Sequence, residues 1–388
     1  MTNKPRVLIL GGDGYLGWPT AMHFSRAGYP VAIVDNLSKR VWEAEFDSMP
    51  LWHIPTLQKR GRVWKATHAK EIPIYIGDIA GNHRFVYKVF EDFRPDAIVH
   101  YAEQPSAPYS MHGREKAVAT QLNNVGGTLN VIFAMRKYCP DAHLVKLGTL
   151  GEYGTPNIDI EEGWLEVEHH GRRDRLPFPK QAGSFYHLSK VHDSNNIEFA
   201  CRVWGLRATD LNQGVVYGIE TNETETHPEL LTSFHYDAVF GTALNRFCVQ
   251  AVAGLPLTVY GKGGQKRGFL NIRDTIQCVN IAVDNPAEAG EFRVFNQFTE
   301  VFSILDLANT VKSAGEALGV PVKINNLPNP RVEKEEHYYN PRNDSLLKLG
   351  LKPNFLSNEL INSMMLRIRE GREHIDDLII HPTIKWRQ

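Results

Sequence analysis

Only four cysteines occur among the 388 residues, and Cys139, Cys201, Cys248 and Cys278 lie far apart. No CxxC and no metal-ligand spacing joins them, so neither a disulfide framework nor a metal site is expected, and a reduced intracellular setting is. Long apolar runs are missing as well: none approaches the roughly 18 residues of a membrane span. Neither sign of charge dominates, since 43 Lys+Arg against 44 Asp+Glu give a formal net charge of −1. That balance speaks against a nucleic-acid groove or an anionic membrane face. There is no internal repeat and no low-complexity tract. Little sequence precedes the first apolar strand, so no signal or transit peptide is expected and the location reads as cytoplasmic; an organellar chain already trimmed would look the same.

What is present alternates. Arg6–Leu10 is an apolar strand followed by a glycine turn and a helix through Ala27. Further strands are expected at Val31–Val34, Ile72–Ile76, Ala97–His100 and His143–Leu147. Near-continuous apolar strands separated by helices indicate an α/β fold, a doubly wound parallel sheet covered on both faces. Ligands of such sheets sit at the carboxyl ends of the strands. Past Gly218 the pattern loosens, through a helix near Ala243–Ala253 and a turn at Tyr260-Gly-Lys-Gly-Gly264. A Rossmann-like domain over 1–215 and a smaller substrate-binding domain over 216–388 are expected, with the chain crossing back to the first around 268–285. The charged, proline-bearing stretch Glu161–Gln181 reads as a long loop of the sort used as a lid.

Gly11-Gly-Asp-Gly14-Tyr-Leu-Gly17 follows the first strand and opens the first helix. Glycines at that spacing permit the tight turn, the approach of backbone to a pyrophosphate and close helix–strand packing. The helix N-terminus then offers free N–H groups to the phosphates. Asp35 ends the second strand 18 residues past Gly17, placed to accept from a ribose diol and to repel a 2′-phosphate, which favours NAD. Arg40 slightly weakens that exclusion. The expected cofactor contacts are Gly11, Asp13, Gly14, Tyr15, Leu16, Gly17, Asp35, Asn36, Arg40, Asp78, Ile79, Asn123, Val216 and the pair described next.

Tyr186-His-Leu-Ser-Lys190 puts a phenol and an ammonium at i and i+4, on one face of a helix. An ammonium beside a phenol favours the phenolate and moves it toward use as a general base. Thr149 ends the fifth strand, where short-chain dehydrogenases carry a substrate-orienting Ser or Thr. Thr149, Tyr186 and Lys190 therefore resemble the triad of that superfamily.

Longer strings are more specific. Lys146-Leu-Gly-Thr-Leu-Gly-Glu-Tyr-Gly154, Phe185-Tyr-His-Leu-Ser-Lys-Val-His-Asp193, Ala208-Thr-Asp-Leu-Asn-Gln213, Tyr236–Phe247, Tyr260–Gln265, Pro328-Asn-Pro-Arg-Val-Glu333 and Glu336-His-Tyr-Tyr-Asn340 resemble the UDP-sulfoquinovose synthases over essentially the whole chain. The resemblance implies conversion of UDP-glucose and sulfite to UDP-sulfoquinovose. Carbon 4 is oxidised by NAD, water leaves to give a 4-keto-5,6-ene, sulfite adds at carbon 6 and carbon 4 is reduced again. The cofactor is regenerated each turn and should be tightly held. Sugar-nucleotide 4,6-dehydratases carry an Asp-Glu pair directly after the catalytic Thr, and here those positions are Leu150 and Gly151. Glu152 and His187 are the nearest titratable residues to take over proton transfer at carbon 5.

For the nucleotide sugar, arginine forks match a pyrophosphate. Arg246, Arg267 and Arg331 are the candidates, with Thr149, Gln213, Thr242, Asn245 and Gln265 as hydrogen-bonding partners. One position departs from the pattern of the resembled family: Pro105 stands where many members have an arginine, and Arg114 is the nearest replacement. Two alternatives remain, a UDP-glucose 4-epimerase and a non-catalytic NAD- or UDP-sugar-binding protein. A homodimer is expected, and free sulfite or a sulfite-delivering protein as donor.

Overall fold

A computed structural model describes residues 4–334, 336–382 and 384–386. The chain begins β1 (Val7–Leu10), α1 (Gly17–Arg26), β2 (Val31–Asp35), α2 (Ser38–Glu45), α3 (Leu57–His68), β3 (Ile74–Ile76), α4 (His83–Phe93) and β4 (Ala97–His100). It continues through α5 (Ala107–Ser110), α6 (Arg114–Tyr138), β5 (His143–Thr149), the hairpin β6 (Trp164–His169) and β7 (Arg172–Pro177), α7 (Phe185–Trp204), β8 (Arg207–Gln213) and β9 (Val215–Tyr217). The remainder comprises α8 (Ala243–Ala253), β10 (Leu257–Tyr260), β11 (Lys266–Asn271), α9 (Ile272–Asp284), β12 (Phe292–Gln297), β13 (Glu300–Ser303), α10 (Ile304–Ala317), β14 (Ile324–Leu327), α11 (Asp344–Lys348) and α12 (Asn358–Glu370).

Seven strands form one sheet in the order β12-β8-β5-β4-β1-β2-β3, and every pairing in it is parallel. The strand order reverses beside β1, at the switch point where ligands of doubly wound sheets bind. β1 and β4 are buried at every residue, as strands covered by helices on both faces must be. One face carries Trp18, Phe24 and Val279, and the other Phe90, Val131 and Ile197. β12 returns to this sheet from beyond residue 285, after α9.

A second core gathers around Phe234, Phe247, Phe269, Leu307 and Met365. The three-stranded sheet β13-β11-β9 and the pair β10-β14 belong to this part of the molecule. β9 follows β8 after a single residue, Gly214, so the second unit begins directly at the carboxyl edge of the large sheet.

Two sequence expectations change. The third strand is shorter than Ile72–Ile76, starting at Ile74, because Pro73 has no N–H to give to the ladder. Glu161–Gln181 is no irregular loop: Trp164–His169 and Arg172–Pro177 pair as an antiparallel hairpin, turning at His170 and Gly171, which both take positive φ. β7 is exposed at all six residues, and no residue of 161–181 lines the cavity described next.

Candidate active site

A cavity of about 450 Å³ opens at the carboxyl ends of β1, β2, β4 and β5 and runs beneath the second unit. At one end the glycine turn forms its wall. Gly11 has φ +86°, and a Cβ there would lie 2.7 Å from the Ala102 nitrogen, so only glycine lets this turn pass the end of β4. Gly14 meets nothing closer than 3.5 Å, leaving its cavity face open to a phosphate. Tyr15, Leu16, Gly17, Asp35, Asn36, Ile79, Asn123 and Val216 also line the wall. The Asp35 carboxylate accepts from the backbone N–H of Asp13 (2.8 Å) and of Leu37 (2.6 Å), which fixes it at the strand end. Glycine backbone, helix N-terminus and acidic strand end together fit a dinucleotide.

Three expected cofactor contacts are turned elsewhere. Arg40 forks onto the Asp13 carboxylate (2.6 and 3.0 Å) and also donates to the Ile54 carbonyl. Asp13 receives the fully buried Arg60 as well. Neither Asp13 nor Arg40 lines the cavity; they brace the glycine turn from behind, so Arg40 is not free to receive a 2′-phosphate. Asp78 is likewise absent from the wall and accepts from the Ala80 N–H at 3.0 Å, closing its own turn.

Tyr186, His187 and Lys190 project into the middle of the cavity from the first turns of α7. The helix is started by Ser184, whose Oγ accepts from the His187 N–H (3.2 Å) and meets His187 Nδ1 at 2.9 Å. The Tyr186 N–H donates to Ser110 Oγ (3.0 Å), fixing the register between α7 and α5. Lys190 donates to the Leu147 carbonyl (2.6 Å) and pairs with Glu103 (2.7 Å). Its ammonium lies 5.8 Å from the Tyr186 ring centre. Burial raises the phenol above its ordinary value, and Lys190 and Lys146 only partly offset this. The expected net lowering by lysine is therefore not what the geometry of the protein alone produces, because desolvation exceeds the coulombic gain.

Thr149 sits beside Gln213 in the β5–β8 register and outside the cavity wall, whereas Gln213 is part of it. Thr149 Oγ accepts from the Gly151 N–H at 3.2 Å, which leaves the hydroxyl proton to give. Glu152 corrects an expectation. It is fully buried behind the wall, bonded by the Thr149 N–H (3.3 Å), Ser194 Oγ (3.1 Å), Lys146 (3.3 Å) and Lys180. Lys146 and Lys180 hold its carboxyl well below the usual range, so it stays a carboxylate with its lone pairs taken. His187 does face the cavity. Burial and the nearby Arg331 and Arg267 push it down to about 3, which makes it a neutral imidazole.

The far end is cationic. Arg246, Arg267 and Arg331 line the wall with Thr242, Asn245 and Gln265. Glu333 pairs with Arg267, and no ion pair to Arg331 or Arg246 occurs among the described residues. Arg331 is lowered by burial and by the other two arginines, as crowded like charges require. One glutamate among three arginines leaves two positive charges unmatched, a site electrostatically prepared for a dianion. Pro105 lines the cavity, but Arg114 is an exposed residue at the start of α6 and takes no part. Lys39 was not picked out from the sequence, lying in no motif. It faces the cavity near the Pro105 segment, its ammonium held by Glu43 (2.7 Å) and against His235 Nε2 (2.9 Å).

Residues 7–296 match the NAD dependent epimerase/dehydratase family. The chain is 56% identical to UDP-sulfoquinovose synthase, chloroplastic, of Spinacia oleracea, over 100% of this chain and 80% of that one. It is 44% identical to UDP-sulfoquinovose synthase of Sulfolobus acidocaldarius, over 99% and 98%. Among solved structures, the UDP-glucose 4-epimerase of Thermus thermophilus in complex with NAD superposes with a TM-score of 0.66 at 22% identity, over 94% of this chain and 99% of that one.

Proposed function

Since the chain belongs to the NAD dependent epimerase/dehydratase family, and within it to the UDP-sulfoquinovose synthases, we propose that it joins UDP-glucose and sulfite into UDP-sulfoquinovose, releasing water. The observation that carries this reading is one cavity lined by the glycine turn, by the Tyr186–Lys190 pair and by three arginines of which, among the described residues, only Arg267 is paired, with Glu333.

Bound NAD supplies the reversible two-electron oxidation of carbon 4. The rest falls to side chains. Tyr186 takes the proton from the carbon-4 hydroxyl and later gives it back. Lys190 holds a positive charge beside that exchange, and Thr149, next after the wall residues Leu147 and Gly148, orients the hydroxyl only if its free proton turns in past them. Arg246, Arg267 and Arg331 bind the pyrophosphate and so fix the sugar, which is how remote binding energy aligns a reacting centre. A bound dianion cancels the arginine charge that depresses His187, raising its proton affinity as substrate arrives. His187 then serves at carbon 5 and at the leaving hydroxyl of carbon 6, from the place where a 4,6-dehydratase keeps acids. Lys39 faces the cavity with its ammonium paired to Glu43, so a ligand phosphate would share that cation with the glutamate. Free sulfite is the simplest donor.

The homodimer belongs to this proposal. α6 and α7 pack together and turn outward Leu122, Phe133, Phe185, Phe199 and Val203, all at least 43% exposed. A large apolar patch on paired helices is the sort a second copy covers.

The test is to incubate the protein with UDP-glucose, with and without sulfite, and follow nucleotide sugars by mass spectrometry. A sulfonated UDP-hexose that requires sulfite and disappears in Tyr186→Phe supports the synthase. UDP-galactose formed regardless of sulfite would make it an epimerase.

A further inference from the structure

Glu103 has no part in the chemistry above, yet among the described residues it is the carboxylate that pairs with Lys190. It stands three residues past β4, its side chain 2% exposed, with the carboxylate 2.7 Å from the Lys190 ammonium. It lines the same cavity as Tyr186 and Lys190. No other described group donates a hydrogen bond to either of its oxygens. A buried carboxylate with one partner is expensive to keep, and the pair would be replaceable by apolar groups if it only filled space.

The neighbouring charges explain what the pair does. The fully buried Lys146, whose ammonium also donates to the Lys190 carbonyl (3.0 Å), is 3.3 Å from Glu152 and 3.3 Å from Asp210, so it is matched by carboxylates. His100, buried under Glu103, is neutral, pushed down to about 4 by burial. Asp193, one helical turn beyond Lys190, holds its proton far above the usual carboxylate range because it is buried near Glu103. Lys190 and Glu103 are then the two formal charges nearest the phenol whose balance is not settled by another ion pair. Lys190 pulls the phenol toward ionisation and Glu103 pushes it back.

We propose that Glu103 is a positioning residue of the centre: it anchors the Lys190 ammonium against the Leu147 carbonyl and offsets its charge, leaving Tyr186 able both to take the carbon-4 proton and to return it. This rests on the synthase reading, in which one phenol acts as base at the start and as acid at the end. Burial already holds the phenol's proton affinity above its ordinary value, and Glu103 adds to that hold, so the phenol is not left permanently ionised beside Lys190 and can give the proton back. An unopposed lysine would favour the first step and hinder the last.

The test compares Glu103→Gln and Glu103→Asp with the parent, using tyrosinate absorbance differenced against each protein's own Tyr186→Phe counterpart. The Tyr186 midpoint is expected to fall by about one pH unit or more in Glu103→Gln and to stay near the parental value in Glu103→Asp, which keeps the charge. In single turnovers with UDP-glucose, Glu103→Gln should retain the first oxidation at lower pH while sulfite-dependent product formation slows by about 10-fold or more. Glu103→Ala serves as the second neutral replacement if the amide does not fold. An unchanged midpoint in both neutral variants, or a Glu103→Asp midpoint as low as that of Glu103→Gln, overturns the proposal. If the parent does not oxidise UDP-glucose at all, the synthase reading fails, and the titration still decides the role of Glu103.

Discussion

The imidazole of His187 fills the space that a side chain on residue 151 would need. A Cβ added to Gly151 would lie 2.3 Å from both Nε2 and Cδ2 of His187. The glycine found where a 4,6-dehydratase has an acid therefore has a physical reason, since the ring on α7 occupies that volume. Placing alanine at 151 forces the imidazole off its Ser184 contact. Gly151→Ala is expected to lower kcat by about 10-fold or more, with a stability loss of roughly 1–3 kcal/mol as for other overpacked sites. Steady-state rates and thermal melting measured on the same preparation check this.

Tyr186→Phe removes the proton carrier and leaves the ring. Loss of a positioned acid–base group lowers rates by about 10²–10⁴-fold, and Gly11, Gly14 and Asp35 are untouched. The variant should therefore retain its bound NAD, assayed by absorbance after release, while forming sulfonated product at no more than a hundredth of the parental rate. Loss of the cofactor together with the activity would assign Tyr186 to binding instead.

Arg331 belongs to a cluster whose positive charge Glu333 leaves unmatched. A charge-assisted hydrogen bond contributes roughly 1.5–3 kcal/mol, so Arg331→Gln should weaken UDP binding by about 10- to 100-fold. The salt dependence of binding should also flatten, because one cation fewer meets the diphosphate. Calorimetric titration with UDP at two ionic strengths measures both.

His143 is buried, with Nε2 2.9 Å from Thr209 Oγ, and is pushed down to about 3 by burial and by Arg293 and Arg207. The native state thus keeps it neutral where the unfolded chain protonates it, near pH 6.5. The unfolded state binds the extra proton, so the contribution to stability is full above about pH 6.5 and is lost as pH falls toward 3. The loss is roughly 1.4 kcal/mol per pH unit for this group. His143→Gln should therefore make the fall in urea-unfolding stability between about pH 6 and 5 shallower by that amount. An unchanged slope would mean that His143 is protonated in the fold.

Leu122 is 68% exposed on α6. If the apolar face of α6 and α7 joins two copies, Leu122→Glu should yield a monomer by light scattering at concentrations where the parent is a dimer. A parent already monomeric at those concentrations removes the dimer from the reading.

Local pattern was enough for the central strands of the large sheet. Strands buried on both faces are apolar throughout, as Val7–Leu10 and Ala97–His100 are. Glycine spacing, Asp35 and the i, i+4 pair Tyr186–Lys190 are also short-range features, so the cofactor end and the centre were legible in order along the chain. The three arginines were found through longer strings. That they share one cavity wall with Glu333, which among the described residues pairs with Arg267 alone, was not legible, because residues 246, 267 and 331–333 are far apart in sequence and meet only in the fold.

Charge partnership was decided by tertiary structure alone. Asp13, Arg40 and Glu152 sit at positions in sequence that suit ligand contact, and each is spent on a partner inside the fold: Asp13 on Arg40 and Arg60, and Glu152 on Lys146 and Lys180. Glu103 and Lys39 show the reverse, carrying no motif yet facing the cavity. The exposed hairpin of 164–177 has a composition that a loop would share, and its register is fixed by cross-strand pairs such as Glu168 with Arg173. Which chemistry is available follows from residue types at short spacing, and the sequence determines it. Which of those groups is left free for a ligand follows from which opposite charges the fold buries together, and that is a property of the tertiary structure.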